Sequence, residues 1–225
     1  MPLLDAIPAA LQLPLAILMV LHKDHGRYPF FFTYTVYSVI TTAVQLPLVG
    51  HPVPYFLAHC IGEVLYALLA LLAIAEVFKA RLELLYEGHR GLRYLLLPAI
   101  LLVMSGIGLW QGVYHPFATS FLGHFTPAAW GFVIGIRCLE SGVYFVAAPL
   151  RKFGRLTLAD RPFKILEGFG LAAFFSLLAY LVRYRFGAGL EAMFRYLPLG
   201  AYIASTCLWL RAFLKPEPPM TTPKP

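Results

Sequence analysis

Seven apolar stretches of near membrane-spanning length divide this chain: residues 6–21, 28–49, 55–78, 94–114, 128–150, 163–182 and 196–213. A helix needs about 20 mostly apolar residues to cross the roughly 30 Å hydrocarbon core of a bilayer. Segments that are apolar all round belong in lipid or deep inside a large core. The first stretch is the shortest and contains Pro14. Turn residues separate the others, notably Gly50-His51-Pro52-Val53-Pro54 and the run from His115-Pro116 to Thr126-Pro127. A membrane β-barrel would alternate apolar and polar residues over strands of about ten, and these stretches do not. Composition points the same way. Charged residues make up 13% of the 225, against about 25% in soluble domains. Disordered chains are poor in aromatics, whereas this one has 3 Trp, 13 Tyr and 18 Phe. Cys60, Cys138 and Cys207 are too far apart in sequence for a disulfide framework or a paired-cysteine metal site. The expected fold is all-α: a polytopic seven-transmembrane-helix bundle over residues 1–214. A proline-rich, disordered cytoplasmic tail, 215–225, follows it.

The connecting segments carry an uneven charge. Segments 1–5, 50–54, 115–127 and 183–195 hold three basic residues, Arg183, Arg185 and Arg195. Those on the other side, 22–27, 79–93, 151–164 and the C-terminal end from Arg211, hold fourteen of the 18 Lys and Arg. By the positive-inside rule the N-terminus is outside and the C-terminus cytoplasmic, in a multi-pass protein of the cell (inner) membrane. Asp5 precedes the first stretch while Lys23 and Arg27 follow it, the reverse of a signal peptide, so this helix is expected to be retained. The net charge of +7 then sits in cytoplasmic loops, where anionic lipid head groups are the expected partners. A nucleic-acid surface needs a basic soluble face with exposed aromatics, and no segment supplies one.

The run Arg27-Tyr28-Pro29-Phe30-Phe31-Phe32-Thr33-Tyr34, together with Gly62-Glu63 and Ala75-Glu76-Val77-Phe78, resembles a group of uncharacterised bacterial seven-helix integral membrane proteins. That group has no established activity, and the resemblance implies fold and localisation alone. Better-known seven-helix families fit less well. Microbial rhodopsins need a lysine in the last span for a retinal Schiff base, and 196–213 has none. Membrane zinc hydrolases need paired histidines there, also missing. The repeat of PQ-loop sugar transporters reduces here to Gln12-Leu13-Pro14-Leu15 echoed by Gln45-Leu46-Pro47-Leu48.

Ionisable groups at membrane depth are costly unless paired, so they mark candidate sites. Arg137 and Glu140 lie one turn apart in the fifth stretch, with Tyr144 and Val133 on the same face. Opposite them run Gly131, Gly135, Cys138 and Gly142, a small-residue stripe that suits close helix packing. Glu63 in the third stretch shares a face with His59 and Tyr66 and falls at nearly the depth of Arg137. The expected ligand or ion site is therefore Glu63, Arg137, Glu140, His59, Tyr66 and Tyr144, with Glu63 paired to Arg137. Ser105, Thr41, Ser176 and Ser205 lie at comparable depths. Glu76 and Glu167 are expected to pair with loop bases. The outer histidines His51, His59, His115 and His124 show no metal-ligand spacing, so neither a metal nor another cofactor is expected. Aromatics at helix ends, including Tyr28–Tyr34, Tyr114, Trp130 and Trp209, read as interfacial belts. Gly168-Phe169-Gly170 reads as helix packing, not phosphate binding.

Three functions remain in view. The first is small-molecule, ion or proton-linked sensing or transport through the Glu63/Arg137/Glu140 cluster. The second is a non-enzymatic membrane scaffold or accessory subunit, whose buried charges fix helix packing and whose small-residue stripe packs against a membrane protein partner. An enzyme using Glu63 or His59 as a base ranks last, since no nucleophile or metal set accompanies them.

Overall fold

A computed structural model of the chain describes residues 2–78, 100, 102–103, 106, 110, 121–153, 159–186 and 191–214. These residues form helices and short connections, with no strand among them. Helix α1 spans Pro2–Leu21, α2 Pro29–Gln45, α3 Pro52–Val77, α4 Phe121–Lys152, α5 Asp160–Phe186 and α6 Glu191–Phe213. Of the predicted span 94–114, only Ile100, Leu102, Val103, Gly106 and Trp110 are described, and all five are helical. The tail 215–225 and the side chains of His115 and His124 lie outside the described residues.

Helices begin where the sequence supplies a proline whose missing N–H costs nothing. Pro29 opens α2 and Pro52 opens α3, because the first turn of a helix has no internal acceptor for that N–H. The predicted turn at 50–54 is thus shorter than its two prolines suggest. Between α1 and α2 the chain reverses through Lys23, at φ 58°, and a short 3-10 turn over Asp24–Gly26. α2 continues as a 3-10 segment, Leu46–Gly50.

Four segments are long and apolar enough to cross a membrane: Pro29–Gly50, Pro52–Val77, Phe125–Lys152 and Asp160–Val182. In α1 the apolar part, Ala9–Leu21, is shorter. Large apolar side chains such as Leu13, Ile17, Ile40, Ile61, Val146 and Leu181 face outward, a surface that suits lipid and would drive a soluble bundle to aggregate. This is a membrane protein.

Neighbours in sequence are neighbours in space, and α1 packs on α6 to close a ring, with α3 reaching across to α5. Most neighbouring helices run antiparallel. Across α5 and α6, Trp209 Nε1 donates to the Ile165 carbonyl at 3.2 Å and Ser205 Oγ to that of Gly168 at 2.8 Å. α3 and α4 differ. His59 meets Trp130 near the start of both helices, Ala67 packs with Val133 and Ile136, and the end of α3 joins Ala147 in one apolar cluster. These two helices run in the same direction.

Half of the bundle is filled by aromatics. Phe31, Tyr34, Phe169 and Trp209 pack with ring centroids 4.9–6.5 Å apart, and Trp209 is wholly buried. The belt reading of Trp209 and of Phe31 and Tyr34 is therefore corrected: these rings point into the core. Room for them comes from glycine. A Cβ at Gly168 would fall 2.2 Å from Trp209 Nε1, and one at Gly170 2.2 Å from the Tyr144 Cβ. The two glycines thus admit a neighbour on different faces of α5. Replacing either with Ala is expected to destabilise the bundle by ~1–3 kcal/mol through overpacking. Gly142→Ala, with open space around the added carbon, is expected to stay within about 0.5 kcal/mol. Thermal unfolding in detergent checks both, and an unchanged midpoint for Gly170→Ala would contradict the close approach.

The small stripe on α4 divides in the same way. Gly131 and Gly135 are buried, whereas Cys138 and Gly142 are exposed beside an apolar groove that Phe78, Val146 and Leu150 also line.

Candidate functional site: a polar cavity in the bundle

The other half of the bundle holds a cavity of about 470 Å³ between α2, α3, α4, α5 and α6. Each helix contributes one stripe at helical spacing. From α3 come Tyr55, His59, Glu63 and Tyr66; from α4, Trp130, Val133 and Arg137. Tyr34, Ser38, Thr41 and Gln45 line it from α2, Ala172, Ser176 and Tyr180 from α5, and Pro198 and Tyr202 from α6. The cavity reaches the end of the bundle where α2 stops and α3 starts. Its floor is Tyr34, the same ring that tops the aromatic core.

Polar groups at the floor are tied together. Gln12 Nε2, from α1, donates to the Tyr202 hydroxyl, and Ser38 Oγ lies 3.4 Å from that oxygen. Tyr34 and Tyr66 line the cavity beside Tyr202. Such a network is stable in a low-dielectric interior only when its members satisfy one another. Nearer the open end, Thr41 Oγ1 is buried without a hydrogen-bond partner among the described residues.

The charges pair differently from the sequence expectation. Arg137 Nη1 donates to Glu140 Oε2 at 3.0 Å, and no direct ion pair joins Arg137 to Glu63. Geometry explains the choice. A carboxylate three residues along the same helix is within reach of the guanidinium whatever the neighbouring helix does. Glu140 is wholly buried, does not line the cavity, and keeps its other oxygen, Oε1, without a hydrogen-bond partner among the described residues. Glu63, His59 and Tyr66 do line it, with Arg137 facing them. Tyr144 does not. It sits a turn further along α4, packed against Phe163 and under Gly170.

Of the serines and threonines at comparable depth, Thr41 and Ser176 line the cavity, while Ser205 is spent on the Gly168 carbonyl. Ser105 lies outside the described residues. Glu167 pairs with Lys164. Glu76 does something the sequence did not suggest, accepting the Phe30 and Phe31 amides at 3.3 and 3.2 Å and so capping α2. Among the described residues no three His, Cys, Asp or Glu gather as metal ligands.

Sequence reasoning missed the ring chain at the mouth. Tyr55 and His59 stack at 6.3 Å, His59 meets Trp130 at 6.1 Å, and Trp130 meets Tyr180 at 5.8 Å. Their spacing gave a usable signal, because Tyr55, His59 and Glu63 fall on one face of α3. No protein-family model, curated protein or solved structure matches the chain.

Proposed function

We propose that this is a multi-pass protein of the cell (inner) membrane with seven spans, N-terminus outside and C-terminus cytoplasmic, whose cavity takes up a small molecule or ion for sensing or transport. The observation that carries this reading is the cavity itself, polar, open toward one end and holding Glu63 and Arg137 at mid-helix. Charged groups at that depth are retained at a cost of about 2.5–3.5 kcal/mol each on insertion scales, and a site that uses them explains their presence. The shared direction of α3 and α4 supports the odd span count. Two helices that enter a membrane from the same side need an odd number of crossings between them. A second reading, lateral packing against a partner membrane protein, is favoured by the exposed Cys138 and Gly142 beside their apolar groove.

Cysteine accessibility tests the first reading. In a cysteine-free background, Gln45→Cys and His59→Cys are expected to react with a membrane-impermeant thiol reagent on intact cells, and Ile61→Cys, facing lipid, is not. Labelling only after permeabilisation would reverse the orientation. No labelling of either cavity position under any condition would leave the packing reading in place.

A further inference from the structure

We propose that the occupant of this cavity is an organic ammonium ion, drawn in by Glu63 and held against the faces of aromatic rings; this rests on the reading of the cavity as a binding site. Three observations lead there. The first is the charge balance. Arg137 is already matched by Glu140 at 3.0 Å, so the pair contributes no net charge, whereas Glu63 lines the cavity with no ion-pair partner among the described residues. A paired charge acts at a distance as a dipole and a single carboxylate as a monopole, so the field over most of the cavity favours a cation.

The second observation is the wall. Trp130 lies between His59 and Tyr180, Tyr55 stacks on His59, and Tyr66 stands one turn below Glu63. Cations are attracted to the negative faces of such rings, by about 0.5–1 kcal/mol each when exposed and about 2 when desolvated, with tryptophan the best partner. Anions gain nothing from these faces. The third is size. A bare metal ion needs several oxygen ligands converging within about 2.6 Å, and the described residues offer one carboxylate in 470 Å³. That volume lies in the range of small-molecule pockets. Arg137, at the inner end, sets the orientation. The cationic head stays beside Glu63 and the rings, and a hydroxyl or carbonyl oxygen of the ligand faces the guanidinium.

The test uses the purified full chain in nanodiscs, carrying Trp110→Phe to remove the exposed third tryptophan, and follows tryptophan emission, since Trp130 lines the cavity and Trp209 is enclosed in the core. The probes are tetramethylammonium, choline, benzyltrimethylammonium, acetate, and 3,3-dimethyl-1-butanol, which copies choline with carbon in place of the charged nitrogen. A saturable change is expected with the cations and is expected to vanish in Trp130→Phe. Choline is expected to bind at least ~10-fold more tightly than its uncharged copy, a difference of about 1.4 kcal/mol. Glu63→Gln is expected to remove that preference without weakening the uncharged copy, and Glu63→Asp to keep part of it. Equal affinity for choline and the butanol overturns the proposal, as does acetate binding that the double variant Arg137→Met/Glu140→Leu abolishes. Silence from every cation overturns it too. If His59→Cys is still labelled from outside, the cavity reading survives that silence; if it is not, the cavity reading fails as well.

Discussion

Arg161→Met is expected to lower the stability of the bundle by ~3–5 kcal/mol, the usual cost of stripping one partner from a buried ion pair. Arg161 begins α5 and Asp24 lies in the 3-10 turn between α1 and α2; they are 5% and 2% exposed. Arg161 Nη1 meets both Asp24 oxygens at 2.8 Å, its Nε donates to the Ala212 carbonyl at 3.2 Å, and the guanidinium lies 5.0 Å above the Phe213 ring. One side chain therefore ties the α1–α2 turn, the start of α5 and the end of α6. His22 Nδ1 reinforces the junction, 3.0 Å from the Phe213 carbonyl. Without Arg161, Asp24 is left in a closed site having lost its guanidinium partner. Asp24→Asn is expected to cost less, because Arg161 keeps the carbonyl and the ring. The double variant is expected to be more stable than the sum of the two losses predicts, by ~1–3 kcal/mol of coupling. A thermal or denaturant series in detergent measures all three, and strict additivity would mean that the pair does not interact.

The second large effect is expected at Arg137. Arg137→Met leaves Glu140 wholly buried with neither oxygen bonded, again at a cost of ~3–5 kcal/mol. Replacing both, as Arg137→Met with Glu140→Leu, is expected to recover most of that loss, since an apolar pair of similar volume needs no partner. Glu63→Gln combined with Arg137→Met is expected to show a smaller coupling than Glu140 does. The same stability series applied to Arg137, Glu140 and Glu63 ranks the two couplings. A larger coupling to Glu63 would contradict the geometry described above.

Of the fold class, the sequence carried the all-helical architecture and the presence of helices long and apolar enough to cross a membrane. The charge content and the run lengths pointed away from soluble and barrel folds before any packing was known, whereas α3 starts at Pro52, inside a stretch read as a turn. At the site, helical spacing put Glu63, His59 and Tyr66 on one face, and they do share a cavity with Arg137. Spacing failed where two helices compete for one partner. Shared depth favoured Glu63 as the partner of Arg137, with Glu140 as its competitor, and the structure pairs Arg137 with Glu140 on its own helix. Tyr144 shows the same limit, because a common helical face says nothing about which neighbour occupies that face a turn later. Trp209 and Phe31 were misread because their helices are apolar all round, so no amphipathic contrast marks the inner side. The Asp24–Arg161 pair joins residues 137 apart, beyond anything a local pattern encodes.

Helix α5 is notched on two faces, with Trp209 seated at Gly168 and Tyr144 at Gly170. A lengthwise slip of one residue, about 1.5 Å, would have to lift both rings out of their seats together. Axial sliding is therefore blocked, and α4, α5 and α6 form a keyed block. The facing wall, α2 and α3, meets that block through the Phe31 and Tyr34 rings and through Ala67 against Val133 and Ile136. A ligand entering the cavity therefore meets, on the α4–α6 side, a wall whose axial register is already fixed.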